Sequence, residues 1–121
     1  MQDINATDWS AGLHFQPRQF PRVSLSTEVK VHCGDEVLVT RSEEIGAGGM
    51  ALQNAGRLSV GQPVRLVFTL SPGLEFKLDA VVWWKRDQRV GIRFDPRDSK
   101  CRVVIQQWVE EQIKLAKTPP V

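Results

Sequence analysis

The sequence lacks several features that mark particular protein classes. It has only two cysteines in 121 residues, and they are too few and too far apart for a zinc site or a disulfide-rich scaffold. We therefore expect a reducing, cytoplasmic environment. No apolar run approaches the roughly 20 residues that cross a bilayer, and the N-terminus shows no signal-peptide pattern. The sequence thus predicts neither membrane insertion nor export.

The sequence also lacks a large excess of either positive or negative charge. Sixteen basic residues stand against fourteen acidic residues, and the formal net charge of +2 argues against a protein that coats nucleic acid. No nucleophile–base pair or carboxylate dyad can be assembled, and neither His14 nor His32 has other ligands at metal-binding spacing. We predict no enzyme activity, no metal and no cofactor, so any anion site must be local.

The sequence does contain a regular succession of short β-strands. Apolar and polar residues alternate from Val23 to His32, a Gly34-Asp35 turn follows, and a second strand is indicated at 36–45. Further strands are indicated at 50–53, 63–70, 74–85 and 89–94. Six short strands joined by turns predict a mainly β fold, either an antiparallel β-barrel or a tightly rolled sheet.

A C-terminal α-helix is predicted after the last strand. Asp95 and Pro96 are typical of a helix start. The residues that then form one apolar stripe at helical spacing are Ile105, Trp108, Val109, Ile113 and Ala116. The pattern predicts a flexible N-terminal arm over 1–17, one domain of barrel and helix over 18–117, and a short tail over 118–121.

Two segments interrupt the strand pattern with residues that are not expected to pack in the hydrophobic core. Arg18 and Arg22 lie four residues apart, and each guanidinium offers a fork of donors that fits a phosphate or a guanine edge. Glu44 precedes a glycine-rich turn, where its carboxylate can accept hydrogen bonds from guanine N–H groups. Gly46 and Gly49 would let a ligand approach the backbone there. Each motif alone also fits solvated arginines or a tight hairpin turn.

The tryptophans are expected to pack rather than to bind. Trp83 and Trp84 are neighbours in a predicted strand, so we expect them on opposite faces, with one of them in the core. Trp108 belongs to the helix stripe.

The order and spacing of these motifs resemble the PilZ domains, which are bacterial receptors for the second messenger cyclic di-GMP. The resemblance covers the whole predicted domain and implies a mainly β fold, a six-stranded antiparallel β-barrel of the split-barrel type with a C-terminal α-helix. The RxxxR motif of the family stands here as Arg18 and Arg22, and its D/N-x-S-x-x-G motif aligns with Glu44, Gly46 and Gly49. Glu44 replaces the usual Asp or Asn, and Gly46 replaces Ser, which removes a hydroxyl that would bond the ligand.

The late strands resemble the family as well, in Val81-Val82-Trp83 and Val90-Gly91-Ile92-Arg93-Phe94. The resemblance implies a single-domain signalling receptor in which the two arginines bind cyclic di-GMP. Glu44 would accept hydrogen bonds from guanine N–H groups, and the two glycines would let the base approach the backbone. The altered second motif is expected to weaken binding roughly ten- to a hundredfold.

The resemblance also implies that the ligand state is relayed to an unidentified protein partner in motility, secretion or exopolysaccharide control. Two alternatives remain open. One is a PilZ-like protein–protein interaction module that has lost or weakened nucleotide binding. The other is a barrel that binds single-stranded nucleic acid, which the low net charge disfavours.

Overall fold

A computed structural model of the chain describes residues 21–117. The predicted arm over 1–17, the motif residue Arg18 and the tail over 118–121 lie outside the described residues. Over the described range the elements are β1 (Arg22–Ser24), β2 (Glu28–Cys33), β3 (Glu36–Gly46), β4 (Gly49–Leu52), β5 (Pro63–Ser71), β6 (Leu74–Arg86), β7 (Arg89–Phe94) and α1 (Ser99–Lys117).

The barrel closes through β3, which pairs with β2 along one part of its length and with β4 along another. The antiparallel order β3-β2-β5-β6-β7-β4 therefore returns to β3, and closure removes most exposed sheet edges. β1 is an additional short strand that lies beside β3. The predicted six-stranded antiparallel barrel with a C-terminal helix is confirmed, with one strand more than expected.

The additional strand arises because the first predicted strand is interrupted. Alternation from Val23 to His32 predicts an unbroken strand, but residues 25–27 are not in a strand. There the hydroxyl of Ser42 accepts a hydrogen bond from the Thr27 amide and donates one to the Leu25 carbonyl. The buried Ser42 side chain on β3 thus forms hydrogen bonds with backbone groups that would bond to another strand if the first strand were continuous.

The core fills the barrel and continues under α1. Ile105 and Val109 of the helix are fully buried, and Trp108 and Ile113 pack against the same core with part of their surface exposed. Burying an aliphatic side chain stabilises the fold by about 1.5–3 kcal/mol. The predicted apolar stripe is therefore correct except at Ala116, which is exposed. No helix within residues 21–117 has the length and apolar character needed to cross a membrane.

The helix begins later than the sequence indicates. Its first residue is Ser99, and the carboxylate of Asp98 accepts a hydrogen bond from the Cys101 amide at 3.2 Å, as a residue at the helix N-terminus does. Asp95 is therefore not the capping residue. Its carboxylate instead accepts hydrogen bonds from the amide and the guanidinium of Arg97 in the turn before the helix.

Candidate functional site

Strand register brings three of the predicted site residues together on one surface of the barrel. Arg22 pairs with Gly46, Gly46 with Gly49, and Gly49 with Arg93. Residues paired across an antiparallel sheet point to the same face. Because neighbouring strands lie about 4.8 Å apart, the backbones of Arg22 and Arg93 are roughly 14 Å apart. Two arginines in this row are thus separated only by glycines, and beyond Arg93 the row continues to Val81.

A second row lies two residues further along each strand. Ser24 pairs with Glu44, Glu44 with Ala51, Ala51 with Gly91, and Gly91 with Trp84. Since side chains alternate between faces along a strand, this row points to the same side as the first. Glu44 therefore lies beside Arg22 at one end, and Trp84 lies at the other.

Both rows face outward, because the residues between them belong to the core: Ile45, Met50 and Ile92. Four positions of the two rows carry no side chain larger than a methyl group. We call them the small-residue floor; they are Gly46, Gly49, Ala51 and Gly91. The floor is buried beneath longer side chains at its edges, with the Cγ of Arg22 lying close to Gly46 and the indole of Trp84 close to Gly91.

Arg22 and Glu44 form an ion pair at the near edge of the floor. Nη1 of Arg22 donates a hydrogen bond to Oε1 of Glu44 at 2.8 Å, and the two side chains are 23% and 32% exposed. A charge-assisted bond between half-buried groups holds the guanidinium in one orientation. Because a guanidinium has five N–H donors, this bond leaves donors for an anion above the floor.

The two glycines of the motif are explained by close approach of other strands. A Cβ on Gly49 would lie 2.0 Å from the carbonyl oxygen of Ile92, and one on Gly46 would lie 2.7 Å from the carbonyl oxygen of Pro21. Neither glycine has a positive φ. The missing side chains therefore serve strand packing before any ligand is considered. A serine at position 46 would push β1 away from β3.

Trp83 and Trp84 both lie on the outer face, so the expectation of opposite faces is wrong. β6 has a bulge between Val82 and Trp84, and the inserted residue breaks the alternation of side chains. The guanidinium of Arg93 lies 5.1 Å from the centre of the Trp83 ring, and the indole of Trp84 lies over Gly91. Because Arg93 and Gly91 are two residues apart on β7, they share a face.

Arg93 marks the far edge of the floor as a second cationic group. Burial, and after it the positive charge of Arg102 on α1, lowers the pKa of Arg93 to about 10. The guanidinium still carries its proton at neutral pH. Alternation alone identifies Arg93 as an outward residue, but only the register of four strands places it opposite Arg22. From the sequence alone, Arg93 is one of several basic residues that could add positive charge near an anionic ligand, and it is not among the predicted site residues.

A shallow cleft of about 640 Å³ adjoins the floor beyond Arg93. Its charged lining consists largely of two ion pairs, in which Arg97 lies 2.7 Å from Asp95 and Arg65 lies 3.8 Å from Asp79. Within each pair the positive and negative charges neutralise one another, so the cleft is less suited to binding an anion than the floor is.

Several solved structures share this fold, including these three. The inhibitor of motility MotI/DgrA from Bacillus subtilis is 24% identical, with a TM-score of 0.71 over 87% of this chain and 55% of that one. YcgR from Escherichia coli, in complex with cyclic di-GMP, is 19% identical, with a TM-score of 0.73 over 84% of this chain and 48% of that one. The K. pneumonia MrkH–cyclic di-GMP complex is 21% identical, with a TM-score of 0.70 over 84% of this chain and 55% of that one. The chain spans about half the length of each of these proteins.

Comparison with curated proteins found no match. The family model of the PilZ domain matches residues 16–111, which is most of the chain and includes both motifs and all four floor residues. The closed barrel, the additional strand β1 and the C-terminal helix agree with the fold of the solved relatives. The chain belongs to the PilZ domain family.

Proposed function

We propose that this protein is a receptor that binds cyclic di-GMP over the small-residue floor. The observation that carries the proposal is the half-buried ion pair of Arg22 and Glu44 beside Gly46 and Gly49, where the two family motifs meet on one outer surface. A guanidinium and a carboxylate fixed 2.8 Å apart offer the donors that a phosphate needs and an acceptor for a guanine. The structures of YcgR and MrkH in complex with cyclic di-GMP support the same ligand.

Each site residue has a distinct role in this proposal. Arg18 joins Arg22 on a phosphate or on the guanine edge. Glu44 orients Arg22 through their hydrogen bond and accepts bonds from guanine N–H groups. Gly46 and Gly49 keep the surface flat, so that a base can lie over the strands beside the Arg22–Glu44 pair.

The receptor is proposed to act in the cytoplasm and to pass its ligand state to a protein partner, without catalysing a reaction. The partner is expected in motility, secretion or exopolysaccharide control. An inhibitor of motility and a cyclic di-GMP-dependent transcription regulatory factor occur among the solved relatives, and this supports an output through another macromolecule.

Calorimetric titration tests the proposed ligand. We expect saturable heat with cyclic di-GMP and affinities at least about tenfold weaker for cyclic di-AMP, GTP and GMP, because adenine lacks the N1–H and N2–H2 donors that Glu44 accepts. GMP and GTP carry the guanine but not the cyclic pair of phosphates. Equal affinity for cyclic di-AMP, or no heat with cyclic di-GMP at millimolar concentration, would refute the proposal.

A further inference from the structure

We propose that Arg93, placed against Trp83 at the far edge of the small-residue floor, is a second phosphate-binding residue of this site. The inference rests on the proposed function and deepens it, since it adds a cation that neither family motif contains. It assigns to Arg93 the phosphate that faces away from Arg22.

The first argument for this role of Arg93 is the register of the strands. Arg22 and Arg93 lie in the same cross-strand row, with only Gly46 and Gly49 between them. A ligand over these glycines therefore meets Arg22 at one edge and Arg93 at the other. Cyclic di-GMP holds its two phosphates on opposite sides of one ring, so a molecule lying over the floor presents one phosphate toward each arginine.

The second argument is the contact with Trp83, because this contact holds the guanidinium of Arg93 in one position. The guanidinium carbon of Arg93 is 5.1 Å from the centre of the Trp83 ring, which is a cation–π contact. The bulge in β6 is what places Trp83 on this face. An arginine already held in position loses less conformational freedom when it binds an anion.

The third argument is the positive charge around Arg93. Arg93 is half-buried, and the positive charge of Arg102 on α1 acts on it. A positive potential at a partly desolvated surface acts on an anion more strongly than the same charges would in bulk water. The lowered pKa of Arg93, about 10, agrees with this arrangement.

A matched pair of variants tests the proposal. Arg93→Gln and Arg89→Gln each remove one positive charge from the outer face of β7, and each removes a cation–π contact, since Arg89 lies 5.8 Å from the Trp84 ring. Arg89 differs in that it pairs with Glu43 at 2.7 Å, away from the row that contains Gly46 and Gly49. We expect Arg93→Gln to weaken cyclic di-GMP binding about tenfold and Arg89→Gln less than about threefold. Only Arg93→Gln should make the affinity less sensitive to salt.

The outcomes separate this inference from the proposed function. Equal affinities for the two variants, with the unaltered protein binding cyclic di-GMP, would overturn the role of Arg93 and leave the receptor proposal standing. No binding by the unaltered protein would overturn both. If Arg93→Gln melts below the working temperature, the side-chain Nε–H signal of Arg93 in the unaltered protein serves instead. It should shift during titration with cyclic di-GMP, and an unchanged signal at saturation would overturn the inference.

Discussion

Replacing Arg22 with alanine is expected to weaken cyclic di-GMP binding about thirtyfold or more while the fold stays intact. The substitution removes a charged, bidentate contact to phosphate, which contributes on the order of 2 kcal/mol. Stability should change little, because the ion pair that Arg22 forms with Glu44 is 23% and 32% exposed and such pairs contribute about 1 kcal/mol or less. Calorimetry gives the affinity, and circular dichroism reports the fold.

Arg57→Ala is the matched control for this variant. Arg57 forms an ion pair of nearly the same length, 2.7 Å, with Glu36, at the end of β3 remote from Gly46. Its loss removes the same charge without touching the floor, so the affinity should stay within about twofold of the unaltered protein. Unchanged affinity in Arg22→Ala, with a native circular dichroism spectrum, would exclude Arg22 as the anchor.

Gly49→Ala is expected to lower the free energy of unfolding by about 3 kcal/mol, through a backbone clash rather than through any ligand. The added methyl carbon would lie 2.0 Å from the carbonyl oxygen of Ile92, and no rotamer can relieve a contact between Cβ and backbone. β4 and β7 would have to separate at the pairing of Gly49 with Arg93. Urea denaturation of the ligand-free protein measures the change.

Gly56→Ala gives the comparison for that experiment. A Cβ at Gly56 meets side-chain atoms of Gln88, at 2.6 Å from Oε1, and Gln88 is exposed and able to rotate away. We expect a change below about 1 kcal/mol there. If the two alanine variants proved equally stable, the tight contact between Gly49 and β7 would be refuted.

The fold was largely predictable because its dominant signals are local. Short apolar and β-branched runs between turns locate the strands of the barrel, and the spacing of Ile105, Val109 and Ile113 locates the face of α1 that packs on it. The errors occur where a distant residue intervenes. The break between β1 and β2 depends on Ser42, and the bulge at Trp83 depends on the pairing of β6 with β7.

The site was predictable only in part, for the same reason. The family motifs identify Arg22 and Glu44 as candidates, and the structure places their charged groups in contact. Why Gly49 must be glycine follows from its approach to β7, which no local pattern reveals. The position of Arg93 opposite Arg22 requires the register of four strands. Arg18 remains a prediction, since it lies outside the described residues.

The most direct test of the account is a titration with cyclic di-GMP followed by the nitrogen-15 amide signals of glycine. The account predicts that the floor glycines shift on binding, namely Gly46, Gly49 and Gly91. Three glycines in turns away from the floor should stay unchanged, namely Gly34, Gly61 and Gly73. Shifts confined to the turn glycines, or no shift at the floor when the ligand is in large excess, would contradict the claim that this surface binds cyclic di-GMP.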